Sequence, residues 1–175
     1  MKSGINLILL YSILILSTPV FSESEPDQID SDRIILAEWK GKAYLARILS
    51  EKDGKYLISY PFYHKDWDEW VEKDRLIIPL KTGMVLREGR WYFAGLLNKN
   101  KKEYSILMIK GRINEIIKVP AQDFVEVIGL ARVEWEGSWY RAGILKEEER
   151  KFYIRYDEYE SKWDEWVSLS RIKME

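Results

Sequence analysis

Trp-Asp-Glu-Trp-Val occurs twice in the chain, at Trp67 to Val71 and at Trp163 to Val167, 96 positions apart. There are eight tryptophans in 175 residues, so a five-residue identity that uses four of them points to duplication. The likeness continues upstream. AEWKGKAYL at 37–45 and VEWEGSWYR at 133–141 share the same offset, and YLISY at 56–60 and FYIRY at 152–156 precede the two motifs. Halfway between, VLREGRWYF at 85–93 aligns with VEWEGSWYR without a gap. The chain is therefore three copies of a module of about 48 residues, and its fold must be one that repeats with that period.

Within a module the signal is β. IILAEW (34–39) and AYLARILS (43–50) flank Lys-Gly-Lys, and YLISY follows Lys-Asp-Gly-Lys, where Asp-Gly tolerates the positive φ values of a tight hairpin. A loop PFYHKD, the WDEWV run and LIIPL (76–80) complete the first module. The third repeats this order with ARVEW, WYRAGILK, KFYIRY, DEYESK, WDEWV and RIKM. Five short strands with tight turns in under fifty residues predict an all-β chain of three tandem small SH3-like five-stranded barrels. Connections at Lys81 to Met84 and Ile128 to Leu130 are so short that the barrels are expected to pack against one another. So small a barrel buries little, which by itself calls for Trp and Tyr. The second tryptophans, Trp70 and Trp166, are expected in the barrel cores.

The N-terminus reads as a secretory signal: Lys2, the apolar run Ile5 to Leu16, then STPVFS with small residues before a cut. The run is short of the ~20 residues of a spanning helix, so a membrane association is expected only through an uncleaved signal. Cysteine is absent, which excludes disulfides and fits an exported protein of a bacterial periplasm or surface. The expected organisation is a signal peptide at 1–22, an acidic linker at 23–32, and barrels at 33–80, 81–128 and 129–175. Without Lys2, the net charge of −1 for the whole chain becomes about −2. That balance argues against nucleic acid, whose binding comes mainly from neutralised phosphates. Lys99, Lys101 and Lys102 fall at an expected hairpin tip, where lysines discourage edge pairing.

The pattern of an aromatic, Gly, Tyr-x-Ala, Tyr-x-Ile-x-Tyr, an aromatic in a loop, Trp-Asp-Glu-Trp-Val and Arg-Ile/Leu resembles the chromo-barrel (Tudor-knot) family, within the Tudor/agenet "royal" group of methylated-peptide readers. The residues that carry it are Tyr44-Leu45-Ala46, Tyr56 to Tyr60, Tyr63, Trp67 to Val71 and Arg75-Leu76. In the last module they are Tyr140-Arg141-Ala142, Tyr153 to Tyr156, Tyr159, Trp163 to Val167 and Arg171-Ile172. The resemblance implies an aromatic pocket for methyl-lysine, formed in the first module by Trp39, Tyr44, Tyr60, Tyr63 and Trp67. In the third module it implies Trp135, Tyr140, Tyr156, Tyr159 and Trp163. The middle module holds Arg87, Met108, Gly111 and Glu115 at four of these positions and keeps only Tyr92.

The chemistry of such a box does not depend on the family. Converging aromatic faces attract a cation, worth about 2 kcal/mol or more per desolvated contact. A methylated or quaternary ammonium suits it because few of its hydrogen bonds are lost on entry, and a carboxylate at the rim favours lower methylation. Asp66, Asp68, Asp157 and Glu158 are the candidates for that acid. Core packing alone also places aromatics in small barrels. Against this, the middle module keeps an aliphatic core pattern (Val85, Ala94, Leu96, Ile106, Val119) while losing the box positions together. The expected partner is a methylated-lysine peptide or another quaternary-ammonium ligand. The alternative is a protein or extended peptide held on the barrel surfaces without a cation box.

Catalysis is not expected. His64, in the loop before Trp67, is the sole histidine and lacks a repeated counterpart. Clustered metal ligands are missing, so neither a metal nor a cofactor is expected. Asp68/Glu69 and Asp164/Glu165 are adjacent on expected strands, so their side chains are expected to face opposite ways and not to act as a joint carboxylate pair.

Overall fold

A computed structural model describes residues 34–110 and 113–175; the expected signal peptide and acidic linker lie outside the described residues. The described chain is all-β and forms three five-stranded curled antiparallel sheets. Barrel 1 holds β1 (Ile34–Trp39), β2 (Lys42–Lys52), β3 (Lys55–Ser59), β4 (Glu69–Glu72) and β5 (Leu76–Ile77), in the order β4-β3-β2-β1-β5. Barrel 2 holds β6 (Lys81–Arg87), β7 (Arg90–Lys99), β8 (Glu103–Lys110), β9 (Ile113–Pro120) and β10 (Phe124–Glu126). Barrel 3 holds β11 (Gly129–Trp135), β12 (Ser138–Glu148), β13 (Lys151–Tyr156), β14 (Glu165–Ser168) and β15 (Ile172–Met174). Each sheet has the same internal order, the first strand lying between the second and the fifth. No helix among the described residues is long and apolar enough to cross a membrane.

The 48-residue period is visible in the backbone. Lys40-Gly41, Glu88-Gly89 and Glu136-Gly137 are two-residue hairpin turns with positive φ at both positions, and Asp53-Gly54 repeats this with φ of 51° and 75°. Each long second strand carries a bulge at the same place, between Ile48 and Ser50, Leu96 and Asn98, and Ile144 and Lys146. The extra residue bends the strand, which is how so short a sheet curls over its own core.

The cores repeat too. Ile35, Ala37, Ala46, Ile48, Ile58, Val71 and Leu76 fill barrel 1, and Ala131, Val133, Ala142, Ile144, Ile154, Val167 and Ile172 fill barrel 3 position for position. Val85, Ala94, Leu96, Ile106 and Val119 do the same in barrel 2. A fourth cluster lies between the barrels. Ile34, Leu36 and Leu45 of barrel 1, Met84, Trp91 and Phe93 of barrel 2, and Leu130 of barrel 3 pack together. Strands β1 and β7 are therefore buried on both faces, which is why IILA and WYFAGL show no polar alternation. Gly95 is required at this junction, since a Cβ there would lie 2.7 Å from Leu36 Cδ1 and 3.1 Å from Pro79 Cβ.

Three expectations are corrected. Residues 81–84 and 129–130 are not linkers but the starts of β6 and β11, leaving only two or three residues between sheets. The WDEWV run is not one strand: Trp67 and Trp163 end 3-10 turns at Lys65–Trp67 and Ser161–Trp163, and the strand begins only at the glutamate. Nor are Trp70 and Trp166 core residues. They are 47% and 42% exposed. Alternation along β4 and β14 turns Val71 and Val167 inward, so the preceding tryptophans face out, opposite Leu57 and Tyr153.

Candidate functional site

The box positions come together in barrels 1 and 3. In barrel 1 the strand-borne pair Trp39 and Tyr44 flank the β1–β2 turn, with ring centroids 6.3 Å apart. The turn after β3 brings Tyr63 beside Tyr60, held by the Tyr63 amide donating to the Tyr60 carbonyl at 3.0 Å. Phe62, at φ 72°, makes that turn possible in a conformation bulky residues seldom adopt. Trp67, at the end of its 3-10 turn, meets Trp39 at 6.0 Å and 88° and Tyr63 at 6.0 Å and 60°. Tyr44 stands nearly perpendicular to Tyr60 and Tyr63, each 6.2 Å away. The rings meet edge to face rather than collapsing into a stack, so they wall an open cavity of about 370 Å³. Lys42 and Glu69 complete the lining.

Barrel 3 repeats this. Trp135 lies 5.7 Å from Trp163 and 6.2 Å from Tyr140, and Tyr140 meets Tyr156 at 6.2 Å and Tyr159 at 5.9 Å. The cavity is about 270 Å³, and Lys162, Asp164 and Glu165 share its wall with the five rings. In barrel 2 the arrangement is dismantled. The loop that carries two of the rings elsewhere is drawn into a long hairpin, in which β8 and β9 pair from Glu103↔Pro120 to Lys110↔Ile113 and Glu115 lies opposite Met108. Gly111 lies outside the described residues. The surviving Tyr92 is buried, and the chain's own Lys110 places its ammonium 5.1 Å from the ring centroid.

A charged unit supports the floor of each box. The Tyr60 hydroxyl donates to Glu69 Oε1 at 2.7 Å, and Arg75 grips the same carboxylate with Nη1 and Nη2 at 3.0 and 2.8 Å. Arg75 Nε then donates to the Glu38 carbonyl on β1 at 2.9 Å. Barrel 3 has Tyr156, Glu165, Arg171 and the Glu134 carbonyl in the same roles. Burial and then the bond to the carboxylate push both phenols well above the ordinary tyrosine value. The bonds from Arg75 and Arg171 hold Glu69 and Glu165 below theirs, so both stay ionised at neutral pH. The sequence marks this glutamate and arginine only as parts shared by the first and third modules and absent from the middle one; their pairing becomes visible once the sheet closes.

The acids expected at the rim need correcting. Glu69, not Asp66 or Asp68, lines the first cavity. Asp157 turns away from the third: it is buried, accepts the Phe93 amide at Oδ1 and pairs with Arg141. Burial pushes its carboxyl up to about 6 despite Arg141. Asp164 reaches that wall together with Glu165, contrary to the expectation that the two face opposite ways, because Asp164 caps the 3-10 turn and the strand begins only at Glu165. The Asp164 side chain is 3% exposed, its Oδ2 accepts from Arg155 Nε and Nη2 at 2.9 and 2.5 Å, and its Oδ1 is buried without a hydrogen-bond partner. Barrel 1 has Ser59 where Arg155 stands, and Asp68 does not line the cavity. His64 is exposed and pairs with Asp66 at 3.0 Å, outside the cavity lining. Among the described residues no cluster of His, Cys, Asp or Glu could hold a metal.

A family model described as the Tudor-knot, the "RNA binding activity-knot of a chromodomain", matches residues 29–78 and 128–174, more than half of the chain. The chain belongs to the Tudor-knot family. The two matches cover barrels 1 and 3 and pass over the barrel without an aromatic box. A search of curated proteins finds no match. Among solved structures, the four MBT repeats of Drosophila melanogaster Sfmbt, in complex with the peptide RHR(me)KVLR, resemble this Tudor-knot chain at 10% identity. The TM-score is 0.23, with 85% of this chain and 62% of that one covered. A likeness at that level says nothing about what this chain binds.

Proposed function

We propose that this Tudor-knot protein is a binding protein without catalytic activity, which takes a methylated lysine, or another methylated or quaternary ammonium group, into the aromatic boxes of barrels 1 and 3. The observation that carries the reading is the open, five-ringed cavity repeated at equivalent positions in two barrels over an ionised glutamate. Rings set edge to face around a void present their negative faces to whatever enters, and a desolvated cation gains most from that. Cavities of this size admit a small head group rather than a folded surface. Lys110 over Tyr92 supports the same preference: where the box is lost, the remaining ring is covered by an ammonium from the chain itself.

RNA, named in the family description, is disfavoured. A near-neutral chain with Glu69, Asp164 and Glu165 on the cavity walls offers little to a phosphate backbone. With the N-terminal signal read from the sequence, the ligand is sought outside the cytoplasm, in a periplasm or secreted.

The test is a titration of the purified protein with trimethyl-lysine, choline and unmodified lysine, followed by tryptophan fluorescence. Quenching by the two methylated cations, lost in the Trp67→Ala plus Trp163→Ala double variant, is expected. Equal indifference to all three ligands would remove the reading.

A further inference from the structure

Barrel 2 has lost its own box, yet it braces the loop that carries part of the barrel 3 box. Strand β7 faces two ways: Tyr92, Ala94 and Leu96 point into the barrel 2 core, and Trp91 and Phe93 into the junction between barrels. The Trp91 backbone pairs with the loop after β13 as a strand would. Its amide donates to the Tyr159 carbonyl at 2.9 Å, and its carbonyl accepts from the Glu158 amide at 2.6 Å. The indole Nε1 donates to Ser161 Oγ at 2.8 Å, at the first residue of the 3-10 turn that ends in Trp163. The Arg155 guanidinium lies 3.8 Å from the centroid of the same indole, and it is Arg155 that grips Asp164. One residue of barrel 2 thus touches the supports of three lining residues: Tyr159, Trp163 and Asp164.

Barrel 1 is held differently. Its loop meets barrel 2 through Phe62, stacked on Phe93 at 5.8 Å and 21°, and meets barrel 3 through the Phe62 amide donating to Glu175 at 2.9 Å. Ser59 replaces Arg155 and Lys65 replaces Ser161, so neither the guanidinium nor the hydroxyl is there for an indole to hold.

We infer that Trp91 is a positioning residue for the barrel 3 box, and that the boxless middle barrel serves as a splint fixing the loop that carries Tyr159 and Trp163. This rests on the proposed function for its consequence in binding, but not for its consequence in loop order. A pocket made of rings on a loop binds well only if the loop is already in place, since each freedom frozen on binding weakens it.

The experiment uses the full chain with Ser161→Ala, which removes the acceptor at the surface and leaves the core intact, and with Trp91→Phe, which removes the donor. Each is placed in a Trp67→Ala background to read barrel 3 alone, and in a Trp163→Ala background to read barrel 1 alone. Trimethyl-lysine is the probe. Both variants should weaken barrel 3 measurably, by up to about fivefold if the full net worth of one hydrogen bond must be regained on binding, and leave barrel 1 unchanged. Equal loss in both barrels, or no loss in barrel 3, overturns the assignment. Hydrogen exchange on the same proteins separates the two readings. Faster exchange at residues 157–163 than at 61–67 is expected whether or not the probe binds. Unchanged exchange there overturns the splint, and a parent that binds no probe while the loop loosens in the variants overturns only the ligand.

Discussion

Glu165 accepts the phenolic hydrogen of Tyr156 at 2.8 Å while Arg171 holds it through Nη1 and Nη2. The carboxylate therefore ties three elements together under the barrel 3 box: Tyr156 closes β13, Glu165 opens β14, and Arg171 ends the 3-10 turn before β15. Glu165→Gln keeps an acceptor for the tyrosine but turns an amide toward Arg171. Bonds to charged groups are worth about 1.5–3 kcal/mol, and roughly a third of each side chain remains in water, so a loss of about 1–2 kcal/mol is expected. Urea denaturation at pH 7 measures it, and a change within error would show that the pair is ornamental to stability.

Trp70 and Trp166 offer the opposite test. A core tryptophan truncated to alanine costs about 3–5 kcal/mol. Since both residues are about half exposed, Trp70→Ala and Trp166→Ala should each cost about 1 kcal/mol or less. The Trp166 change should be the costlier of the two, because it also loses the Tyr153 ring 5.3 Å away. A loss above 3 kcal/mol in either would return them to the core.

Those two tryptophans also mark where the sequence stopped being legible. The repeat, the hairpins and the core positions were readable because they follow local rules: Asp53-Gly54 makes its turn, and Val85, Ala94 and Ile106 recur at the spacing of their counterparts. The ten aromatic positions came from the resemblance to the Tudor-knot pattern, and their loss together from the middle copy favoured a pocket over core packing alone, although Tyr60 and Tyr156 also pack into the cores. Trp70 was misread because hydrophobicity alone does not give the phase of a four-residue strand; the short 3-10 turn at Lys65–Trp67 shifts that phase. The acids failed for a different reason. Whether Asp157 or Asp164 faces the cavity depends on Phe93 and Trp91, which lie in another barrel, more than sixty residues away in sequence.

Asp164 should make the two boxes unequal. Its Oδ1 is buried beside the cavity without a partner, and a small rotation of the carboxylate that exposes it would offer an acceptor only to an ammonium that still carries a hydrogen, so barrel 3 is expected to favour dimethyl-lysine over trimethyl-lysine by about threefold or more. Barrel 1, lined by Glu69 alone with both oxygens already engaged, should prefer the trimethyl form. Calorimetric titration of the Trp67→Ala and Trp163→Ala single variants separates the two sites. Adding Asp164→Asn to the first should abolish the dimethyl preference, and an unaltered preference would exclude Asp164 as the selector.

Asp157 should give the barrel 2–barrel 3 contact an unusual pH dependence. Its carboxyl titrates near 6 when folded against an ordinary value of 3.8, because burial outweighs the pull of Arg141. Between those values the folded state holds the proton more tightly than the unfolded one. Stability contributed here is therefore full below pH 4, falls as pH rises, and is lost by about pH 7, by on the order of 3 kcal/mol. Glu69 and Glu165 act with the opposite sign, since their lowered values add stability that disappears as pH drops below the usual carboxylate range. The whole-protein curve mixes the two, so the comparison is with Asp157→Asn, which lacks only the first. From pH 7 to pH 4 the wild type should gain on that variant in urea denaturation. A constant difference across the range would mean that Asp157 is ionised throughout and that its ion pair with Arg141, rather than its burial, sets its behaviour.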